Sequence, residues 1–372
     1  MNRKISELVS ELVVSDIASI VERDLPWEML DHKRILITGA NGFISYYLVL
    51  SCLMRNDRFQ SGIKVLGLVR NLEHARKKYG AVLERDDLEL CVQDVCEPIP
   101  LSELERKGPD GNTLERENVD YIIHAASQAS AWHFEHDPVG TMNANLLGTV
   151  QILELARKCK AQVLLISSLK VYGSFPEISK SEIREEEAGY IDQTSYKNCY
   201  AMGKRAAETL CASYHRQYGV PVKLVRPSYI YGPARLDDDR VWAQFMANVI
   251  RHTDIELQSS GAVCRSYCYV TDTAAAIFTV LLKGEVMQPY NIAAGISNLT
   301  IRDFAATAAA AFPERSLKLR FVHPEDEKTP DPAVSPREVL DSRKLQKLGW
   351  QGLVPPAEGI RRAVQIMEEN FS

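Results

Sequence analysis

The feature that most constrains the fold is a buried strand, a glycine turn and a helix in direct succession. The apolar run from Arg34 to Thr38 is followed by a turn holding Gly39 and Gly42, and an apolar helix continues to about residue 54. Such a turn lets the backbone approach a pyrophosphate, which the N–H groups at the helix N-terminus bind. Ser45 replaces the third glycine of this pattern and is small enough to keep the helix close to the strand. The residues expected to contact a dinucleotide are Gly39, Asn41, Gly42, Phe43 and Ile44. A turn with a purely structural role is the alternative.

The second strand, residues 64–71, indicates which dinucleotide is bound. An NAD site usually has Asp or Glu at the end of this strand, where it accepts from the ribose 2′-hydroxyl. Here the residue is Arg70, whose guanidinium suits a 2′-phosphate. We therefore predict NADP, with NAD as the alternative. Arg76, Lys77 and Lys78 follow on the same edge, although they are equally consistent with an exposed basic helix.

Further strands alternate with helices, which predicts an α/β fold with a doubly wound, Rossmann-like parallel sheet. Asp94 and Val95 follow the strand at 88–92 and are expected at the adenine, although Asp94 also fits an ordinary loop. The predicted organisation is an N-terminal helical extension at 1–30, a dinucleotide-binding domain at 31–233 joined by about 266–284, and a smaller, mainly substrate-binding domain at 234–372.

Composition limits the function classes. The 372 residues are 45% hydrophobic and 25% charged, with a net charge of −5 and a pI of about 6.0, so no basic field for nucleic acid is expected. No apolar run approaches the roughly 20 residues of a membrane span, and the N-terminus lacks the order of a signal peptide. We expect a cytoplasmic protein with no membrane partner. Eight cysteines occur without a CxxC pair or zinc-type spacing, so no metal is predicted.

Two segments outside the main pattern carry expectations of their own. Apolar residues at helical spacing predict an amphipathic helix over 4–22 that docks on the main body. The long acidic and polar stretch between Gly173 and Tyr200 is interpreted as a surface lid near the substrate, because loops of this length are often functional.

Tyr200 and Lys204 form the main candidate for proton transfer. Residues four apart on a helix project side by side from one face, and a neighbouring ammonium favours the phenolate. Tyr200 could then donate or accept a proton, with a pKa depressed by Lys204. The buried strand at 163–168 ends with Ser168 at the carboxyl edge of the sheet, where it is expected to meet Tyr200. A YxxxK pair alone is equally compatible with a packed Tyr and a solvated Lys.

These residues belong to a longer set that resembles the extended short-chain dehydrogenase/reductase superfamily of nucleotide-sugar enzymes. The set follows the same order as in that superfamily and comprises Thr38 to Ile44, His124-Ala125-Ala126, Asn145 to Thr149, Ser168 with Val171-Tyr172-Gly173, Tyr200 with Lys204, Arg226-Pro227, Tyr231-Gly232-Pro233, Arg265 to Asp272, Tyr290-Asn291-Ile292 and Leu348-Gly349-Trp350. Within the superfamily, three groups of residues resemble the UDP-glucuronate decarboxylase branch. They are Ala126-Ser127 with Ala129-Ser130 and His133, then Cys199-Tyr200 with Gly203-Lys204-Arg205 and Ala207-Glu208-Thr209, and finally Asp239-Arg240-Val241.

The resemblance implies roles for single residues. Tyr200 takes the proton of the sugar 4-hydroxyl while hydride passes to the nicotinamide, Ser168 shares that hydrogen bond, and Lys204 holds the nicotinamide ribose. Arg265 clamps the diphosphate of the sugar nucleotide, with a structural ion pair as the alternative reading of this arginine. Asn145 is expected to be architectural. The remaining implied contacts are cofactor-binding Ala125, Ala126 and Pro227, and substrate-binding Ser127, His133 and Arg240.

The sequence departs from the family pattern where the product is decided. Dehydratases resemble one another in an Asp-Glu pair after the catalytic hydroxyl, and the decarboxylase branch carries Ser-Glu; here these positions are Leu169 and Lys170. Tyr229 stands where an Asn is expected near the substrate phosphates. We expect Lys170 to face the substrate, with a surface lysine as the alternative. Its ammonium could stabilise an enolate or pair with a sugar carboxylate, and desolvation could lower its pKa enough to make it a proton carrier.

Two classes of function remain open at this stage. The favoured one is an NAD(P)-dependent enzyme that oxidises a nucleotide-activated sugar at C4 and uses the ketone for epimerisation, decarboxylation or reduction, with 4,6-dehydration ranked lower. The other is a non-catalytic NAD(P)-binding regulator, since a fold does not establish a function. The complete set Ser168, Tyr200 and Lys204 favours the enzyme. The resemblance also implies a homodimer through helices at about 145–160 and 200–218.

Overall fold

The structure is a computed structural model that describes residues 2–99, 118–175, 182–323 and 337–369, with the backbone of two short strands between 105 and 116. The strands are β1 (Arg34–Thr38), β2 (Lys64–Val69), β3 (Leu88–Val92), β4 (Glu105–Lys107), β5 (Thr113–Arg116), β6 (Tyr121–His124), β7 (Gln162–Ile166), β8 (Val222–Pro227), β9 (Tyr229–Tyr231), β10 (Ile255–Leu257), β11 (Cys264–Tyr269), β12 (Pro289–Ile292), β13 (Asn298–Thr300), β14 (Leu319–Phe321) and β15 (Arg337–Glu338). The α-helices are α1 (Glu11–Val21), α2 (Phe43–Phe59), α3 (Leu72–Tyr79), α4 (Ala131–His136), α5 (Pro138–Cys159), α6 (Cys199–Tyr218), α7 (Val241–Ile250), α8 (Val270–Lys283), α9 (Ile301–Ala310), α10 (Arg343–Gln346) and α11 (Pro356–Glu369).

Seven parallel strands form the central sheet, in the order β3-β2-β1-β6-β7-β8-β12. β1 pairs with β2 on one side and with β6 on the other, so the direction of winding reverses at β1. A crevice opens at the carboxyl ends of the strands at such a reversal, and ligands of open α/β sheets bind there. The prediction of a Rossmann-like, doubly wound sheet is confirmed.

Helices cover both faces of the sheet because alternate strand residues point to opposite sides. Ile35 and Ile37 pack in one apolar layer with α1, α2 and α8, whereas Leu36 packs in the other with α5 and α6. All three side chains are fully buried. The two layers hold β1 and β6 in place, and with them the turns that follow these strands.

The N-terminal extension docks on this body, as predicted, but not as one helix. A 3₁₀ turn at Ile5–Glu7 precedes α1. The two are separate because α1 starts anew at its N-cap, Ser10, whose side chain accepts a hydrogen bond from the Val13 N–H at 3.5 Å. The buried Asp16 anchors α1 by accepting hydrogen bonds from Tyr47, Tyr269 and Arg362. Burial raises the pKa of Asp16 in spite of these partners.

The C-terminal part of the chain builds a second body of helices and short strands beside the sheet. β11 pairs with β9, β13 and β15, while β10 pairs with β14. α7, α9 and α11 pack around these strands in one apolar layer, and α8 returns from β11 to the central sheet. In the described part of the chain, no helix is both long and apolar enough to cross a membrane.

The segment interpreted as a surface lid is only partly described, since residues 176–181 lie outside the described ranges. Residues 182–191 run along the surface with alternate side chains buried. Ile183 forms a bridge with Leu340, and the buried Glu185 accepts a hydrogen bond from the Asn291 N–H at 2.9 Å. The apolar Ile183 and the paired Glu185 tie this segment to the end of β12.

Candidate active site

The turn after β1 has the geometry that a dinucleotide pyrophosphate needs. Gly39 has a φ of +62°, and a Cβ atom there would lie 3.0 Å from the Cα of Ala126. Gly42 begins α2 without a side-chain cap, so the first N–H groups of α2 are left for an anion. A Cβ at Gly42 would lie 2.9 Å from the carbonyl oxygen of Gly39, so both positions require glycine for the tight turn, and the turn fits the predicted ligand.

A hydrogen-bonded network joins the ends of β1 and β6 beneath this turn. The hydroxyl of Thr38 accepts from the N–H groups of Ala125 and Ala126, both at 3.0 Å, and pairs with Nδ1 of His124 at 2.9 Å. Nε2 of His124 lies 3.2 Å from the hydroxyl of Thr149. Burial, with a smaller effect of the Lys204 charge, lowers the pKa of His124 to about 3, so the ring is neutral. The network fixes Ala125 and Ala126 against Gly39.

Ser168 and Tyr200 meet at the carboxyl edge of the sheet, as the sequence predicts. Ser168 follows β7 and Tyr200 lies in the first turn of α6, close enough for the Ser168 hydroxyl to lower the pKa of Tyr200 in opposition to burial. Lys204, one turn further along α6, is 3% exposed, and its Nζ lies 5.9 Å from the centre of the Tyr200 ring. It donates to the carbonyl of Ile166 at 2.8 Å. The structure thus brings together the three residues of the predicted set.

The prediction that Lys204 depresses the pKa of Tyr200 is wrong for this structure. Burial raises the pKa of Tyr200, and the opposing hydrogen bond from Ser168 and the charge of Lys170 are too weak to reverse the effect. The ammonium of Lys204 is bound to the strand carbonyl, and burial lowers its own pKa to about 8. Sequence spacing identified the neighbours, but not the balance between charge and burial.

Lys170 is the centre of a charged cluster beside this set. Its Nζ donates to the hydroxyl of Tyr229 at 3.1 Å and to Oε1 of Glu338 at 3.0 Å. Tyr229 donates to Oε2 of Glu338, which also accepts from Nε of Arg265 at 3.0 Å. The Arg265 guanidinium lies over the Tyr229 ring, 4.2 Å from its centre. We call Lys170, Tyr229, Arg265 and Glu338 the charged cluster.

Two expectations change in this cluster. The pKa of Lys170 is raised instead of lowered, since burial is outweighed by the interactions with Tyr229 and Glu338. Lys170 is therefore an ammonium at neutral pH and not a proton carrier. Arg265 forms the ion pair with Glu338 that the sequence left as the alternative to a diphosphate clamp. Glu338 was not predicted, because it lies on a two-residue strand that no motif marks.

Of the predicted substrate residues, Ser127 precedes α4 and His133 lies within it. Ser127 donates to the side-chain oxygen of Asn145 at 3.0 Å, and the ring of His133 pairs with Ser130 at 2.7 Å. Phe134, the next residue of α4, stacks on the Tyr200 ring with 4.9 Å between ring centres. Phe134 was not predicted either. An aromatic side chain between two polar segments gives no signal of this contact in the sequence.

Arg240 faces the glycine turn from the other body. Its guanidinium pairs with Asp238 at 2.6 Å and lies over the rings of Phe43 and Trp242, 5.0 and 4.5 Å from their centres. Lys78 reaches the same turn from α3 and donates to the carbonyls at positions 41 and 42, both at 3.1 Å. Two cations thus border the cleft at the turn.

The remaining predicted cofactor residues lie at strand ends along the same edge. Arg70 is exposed directly after β2, and Asp94 is exposed after β3, where its carboxylate accepts from the Cys96 N–H at 2.9 Å. Val95 is buried, and Pro227 ends β8 opposite Ile292. Asn41 and Ile44 are partly exposed in the turn itself.

Comparison with known proteins agrees with this site. The profile of the NAD dependent epimerase/dehydratase family matches residues 35–293. UDP-glucuronic acid decarboxylase 3 of Arabidopsis thaliana is 32% identical over 91% of this chain and 89% of its own length. UDP-glucuronic acid decarboxylase 1 of Danio rerio is 30% identical over 92% of this chain and 74% of its own length.

Solved structures show the same fold at lower identity. UDP-glucuronic acid 4-epimerase from Bacillus cereus, in complex with NAD, superposes with a TM-score of 0.72 at 19% identity, covering 91% of this chain and all of the other. The dTDP-glucose 4,6-dehydratase from Bacillus anthracis, also with NAD, gives a TM-score of 0.69 at 21% identity and covers 91% and 97% of the two chains. Together with the profile match and the two decarboxylase relatives, these findings confirm the predicted resemblance: the chain belongs to the NAD dependent epimerase/dehydratase family.

Proposed function

We propose that this chain oxidises a nucleotide-activated sugar at C4 and uses the 4-keto species for epimerisation, decarboxylation or 4-keto reduction. The observation that carries the proposal is that Ser168, Tyr200 and the buried Lys204 lie together at the carboxyl edge of the sheet, with the Lys204 Nζ 5.9 Å from the centre of the Tyr200 ring. A regulator that only bound the dinucleotide would not need a phenol and a hydroxyl paired at the ligand edge of the sheet. We therefore favour the enzyme over a non-catalytic regulator.

In the proposed reaction, Tyr200 accepts the proton of the sugar 4-hydroxyl and Ser168 holds the same oxygen. The bound nicotinamide dinucleotide supplies the hydride acceptor. Lys204, whose Nζ is hydrogen-bonded to the Ile166 carbonyl at the end of β7, would hold the nicotinamide ribose. The turn residues Gly39 to Ile44 would hold the pyrophosphate. Burial raises the pKa of Tyr200. In this scheme the phenol first releases its own proton to solvent, then accepts the proton of the 4-hydroxyl, and returns it in the reverse step.

UDP-glucuronate is the first candidate substrate. The names of the two decarboxylase relatives identify this compound as their substrate. The charged cluster also has two cations and one carboxylate, and this excess of positive charge suits an acidic sugar. A 4,6-dehydration ranks lower, because Leu169 and Lys170 replace the acidic pair that dehydratases carry. Arg265 remains our proposed contact for the diphosphate, and Ser127, His133 and Arg240 remain proposed contacts for the substrate.

The cofactor is an NAD(P), and we propose NADP as the preferred form. Arg70 lies exposed at the end of β2, where it can meet a 2′-phosphate, and Asp94 and Val95 would border the adenine. NAD remains the alternative and is the dinucleotide present in both solved structures named above.

We also propose a homodimer in the cytoplasm, with α5 and α6 at the interface. These helices pack against each other and expose Val139, Leu147 and Tyr218. The proposed division of labour is that residues 31–233, joined by 266–284, hold the dinucleotide and that 234–372 mainly hold the sugar nucleotide. Light scattering on the purified chain tests the dimer directly.

The function is tested by incubating the enzyme and NAD or NADP with UDP-glucuronate, UDP-glucose and a 4-keto-6-deoxy sugar nucleotide, then identifying products by mass spectrometry. We expect turnover of UDP-glucuronate or of the 4-keto sugar, and a loss of turnover in Lys170→Met. Elimination of water from UDP-glucose, or full activity of Lys170→Met on every accepted substrate, would contradict the role of Lys170. Binding of the dinucleotide without any product would favour the regulator.

A further inference from the structure

The turn after Ser168 lacks the acidic residues that related enzymes carry, yet a carboxylate occupies its surroundings. Glu338 lies 168 positions further along the chain than Lys170, and its Oε1 is 3.0 Å from the Lys170 Nζ. We propose that Glu338, acting through the hydroxyl of Tyr229, exchanges a proton with the sugar carbon next to C4. This inference rests on the proposed oxidation at C4 and names the group that acts after it.

The contacts of Tyr229 are those of a proton relay. Its hydroxyl accepts a hydrogen bond from the Lys170 ammonium at 3.1 Å and donates its own proton to Oε2 of Glu338. The ammonium stabilises negative charge on the phenol oxygen, and the carboxylate is ready to receive the phenol proton. A proton that reaches the Tyr229 oxygen can therefore be passed on without a separated charge.

The relay lies beside the redox residues and opens to the cleft. The main-chain N–H of Lys170 donates to Oγ of Ser168 at 3.2 Å, and Ser168 in turn pairs with Tyr200. The side chains of Lys170, Glu338 and Arg265 are 44%, 30% and 21% exposed, so the cluster borders solvent and is not sealed in the core. A sugar whose C4 oxygen meets Ser168 and Tyr200 would present a neighbouring carbon to this cluster.

The charge state of the cluster agrees with a base. Burial alone would raise the pKa of Glu338, but the Lys170 charge, the Tyr229 hydrogen bond and the Arg265 charge lower it below its usual value. Glu338 is therefore ionised at neutral pH. Arg265 neutralises part of this charge and stacks on Tyr229, which holds the ring and the carboxylate in register.

The step balances without a further reagent. Once C4 is a ketone, the C–H bond on the adjacent carbon breaks and its electron pair forms an enolate, with the charge on the C4 oxygen. The hydroxyls of Tyr200 and Ser168 stabilise that oxygen. The proton passes to the Tyr229 oxygen while the Tyr229 proton passes to Glu338. The reverse transfer returns a proton to the same carbon, which allows epimerisation there. An enolate left by loss of carbon dioxide would instead take the Tyr229 proton, which Tyr229 then regains from solvent.

The experiment follows deuterium and hydride in the same mixture. The parent, Glu338→Gln, Tyr229→Phe and, as a matched control on the same strand, Arg337→Gln are incubated in heavy water with UDP-glucuronate and, in parallel mixtures, NADP or NAD. Cofactor reduction is read from nicotinamide absorbance, and deuterium at the ring carbons next to C4 from mass spectrometry. We expect Glu338→Gln and Tyr229→Phe to slow deuterium uptake by at least ~10²-fold, with cofactor reduction changed only a few-fold. Arg337→Gln should behave as the parent.

The other outcomes separate this inference from the proposed function. Deuterium uptake at the parental rate in both variants, with cofactor reduction intact, overturns the role of Glu338 and leaves oxidation at C4 standing. If both variants lose cofactor reduction as well as deuterium uptake, the cluster has a structural role, and this result also overturns the proposed role of Glu338. A parent that never reduces the cofactor in the presence of UDP-glucuronate contradicts the proposed function itself.

Discussion

The two sides of the sugar site differ in how the chain builds them. On the redox side, Ser168 ends one strand, and Tyr200 and Lys204 lie one turn apart on the helix that packs beneath it. Spacing on a single helix and one strand end therefore determines most of this geometry.

The charged cluster on the other side is assembled from four distant segments. Lys170 comes from the turn after β7, Tyr229 from β9, Arg265 from β11 and Glu338 from β15. Their contacts depend on the packing of the second body against the sheet. The difference teaches that the placement of Ser168, Tyr200 and Lys204 follows from local sequence, whereas the contacts of the charged cluster depend on long-range packing.

Tyr200→Phe should have the largest effect and should separate the two sides. We expect cofactor reduction by the sugar nucleotide to fall by at least ~10²-fold, the typical loss when a positioned acid/base group is removed. Dinucleotide affinity and melting temperature should not change. The exposed Tyr190, changed to Phe, is the matched control. Parental turnover in Tyr200→Phe would remove Tyr200 from the mechanism.

Lys204 offers a test of burial on the redox side. Its pKa falls from the usual 10.5 to about 8, so between these values the unfolded chain binds more protons than the native one. The free energy of unfolding should therefore rise as the pH increases from 7 to 10, by up to roughly 3 kcal/mol from this residue. Lys204→Met should lack this rise, whereas the exposed Lys347→Met should keep it. Urea unfolding at both pH values measures the effect, and identical pH profiles for Lys204→Met and the parent would contradict it.

Arg70→Asp should act on the cofactor and leave the charged cluster unaffected. A hydrogen-bonded charge pair contributes about 1.5–3 kcal/mol, so NADP affinity should fall about 10- to 100-fold and the preference should turn to NAD. Calorimetric titration with both dinucleotides measures the change, and NAD serves as the internal control. If the parent binds NAD as tightly as NADP, the assignment of Arg70 is wrong.

Phe134→Leu should have the smallest effect, because it removes only the ring stacked on Tyr200. A stacked aromatic pair contributes about 0.5–1.5 kcal/mol, which corresponds to roughly a two- to tenfold loss of kcat/KM. Trp132→Leu on the same helix is the control, since Trp132 stacks on His136 instead. An equal loss in both variants would mean that α4 acts as a whole and that the Tyr200 contact has no separate role.

The fold was largely predictable, because its signals are local. The apolar strand from Arg34 to Thr38 and the glycines after it identified the first unit, and the repeated alternation gave the parallel sheet. The break between Ile5–Glu7 and α1 was missed, since apolar spacing continues across the cap at Ser10. Helical periodicity alone does not show where a capping residue ends one turn and starts another.

The site was predictable only where one element carries several of its residues. Tyr200, Lys204 and Ser168 were found from spacing and strand ends, whereas Glu338 and Phe134 could be found only after folding. The signs of the pKa shifts of Tyr200 and Lys170 were also missed. These signs depend on how deeply each group is buried and on which partner contacts it, and neither can be predicted from the neighbouring residues in the sequence.

The most direct test of the central claim is the fate of the hydrogen on C4. UDP-glucuronate carrying deuterium at C4 is mixed with the enzyme and oxidised cofactor, and the nicotinamide is then analysed by mass spectrometry. If the chain oxidises the sugar at C4, the deuterium will appear on the nicotinamide in the parent and will be absent in Tyr200→Phe over the same time. Epimerisation or decarboxylation returns this deuterium to C4, so the samples are quenched during the first turnover. A product that forms without any deuterium on the nicotinamide in these samples would contradict the account.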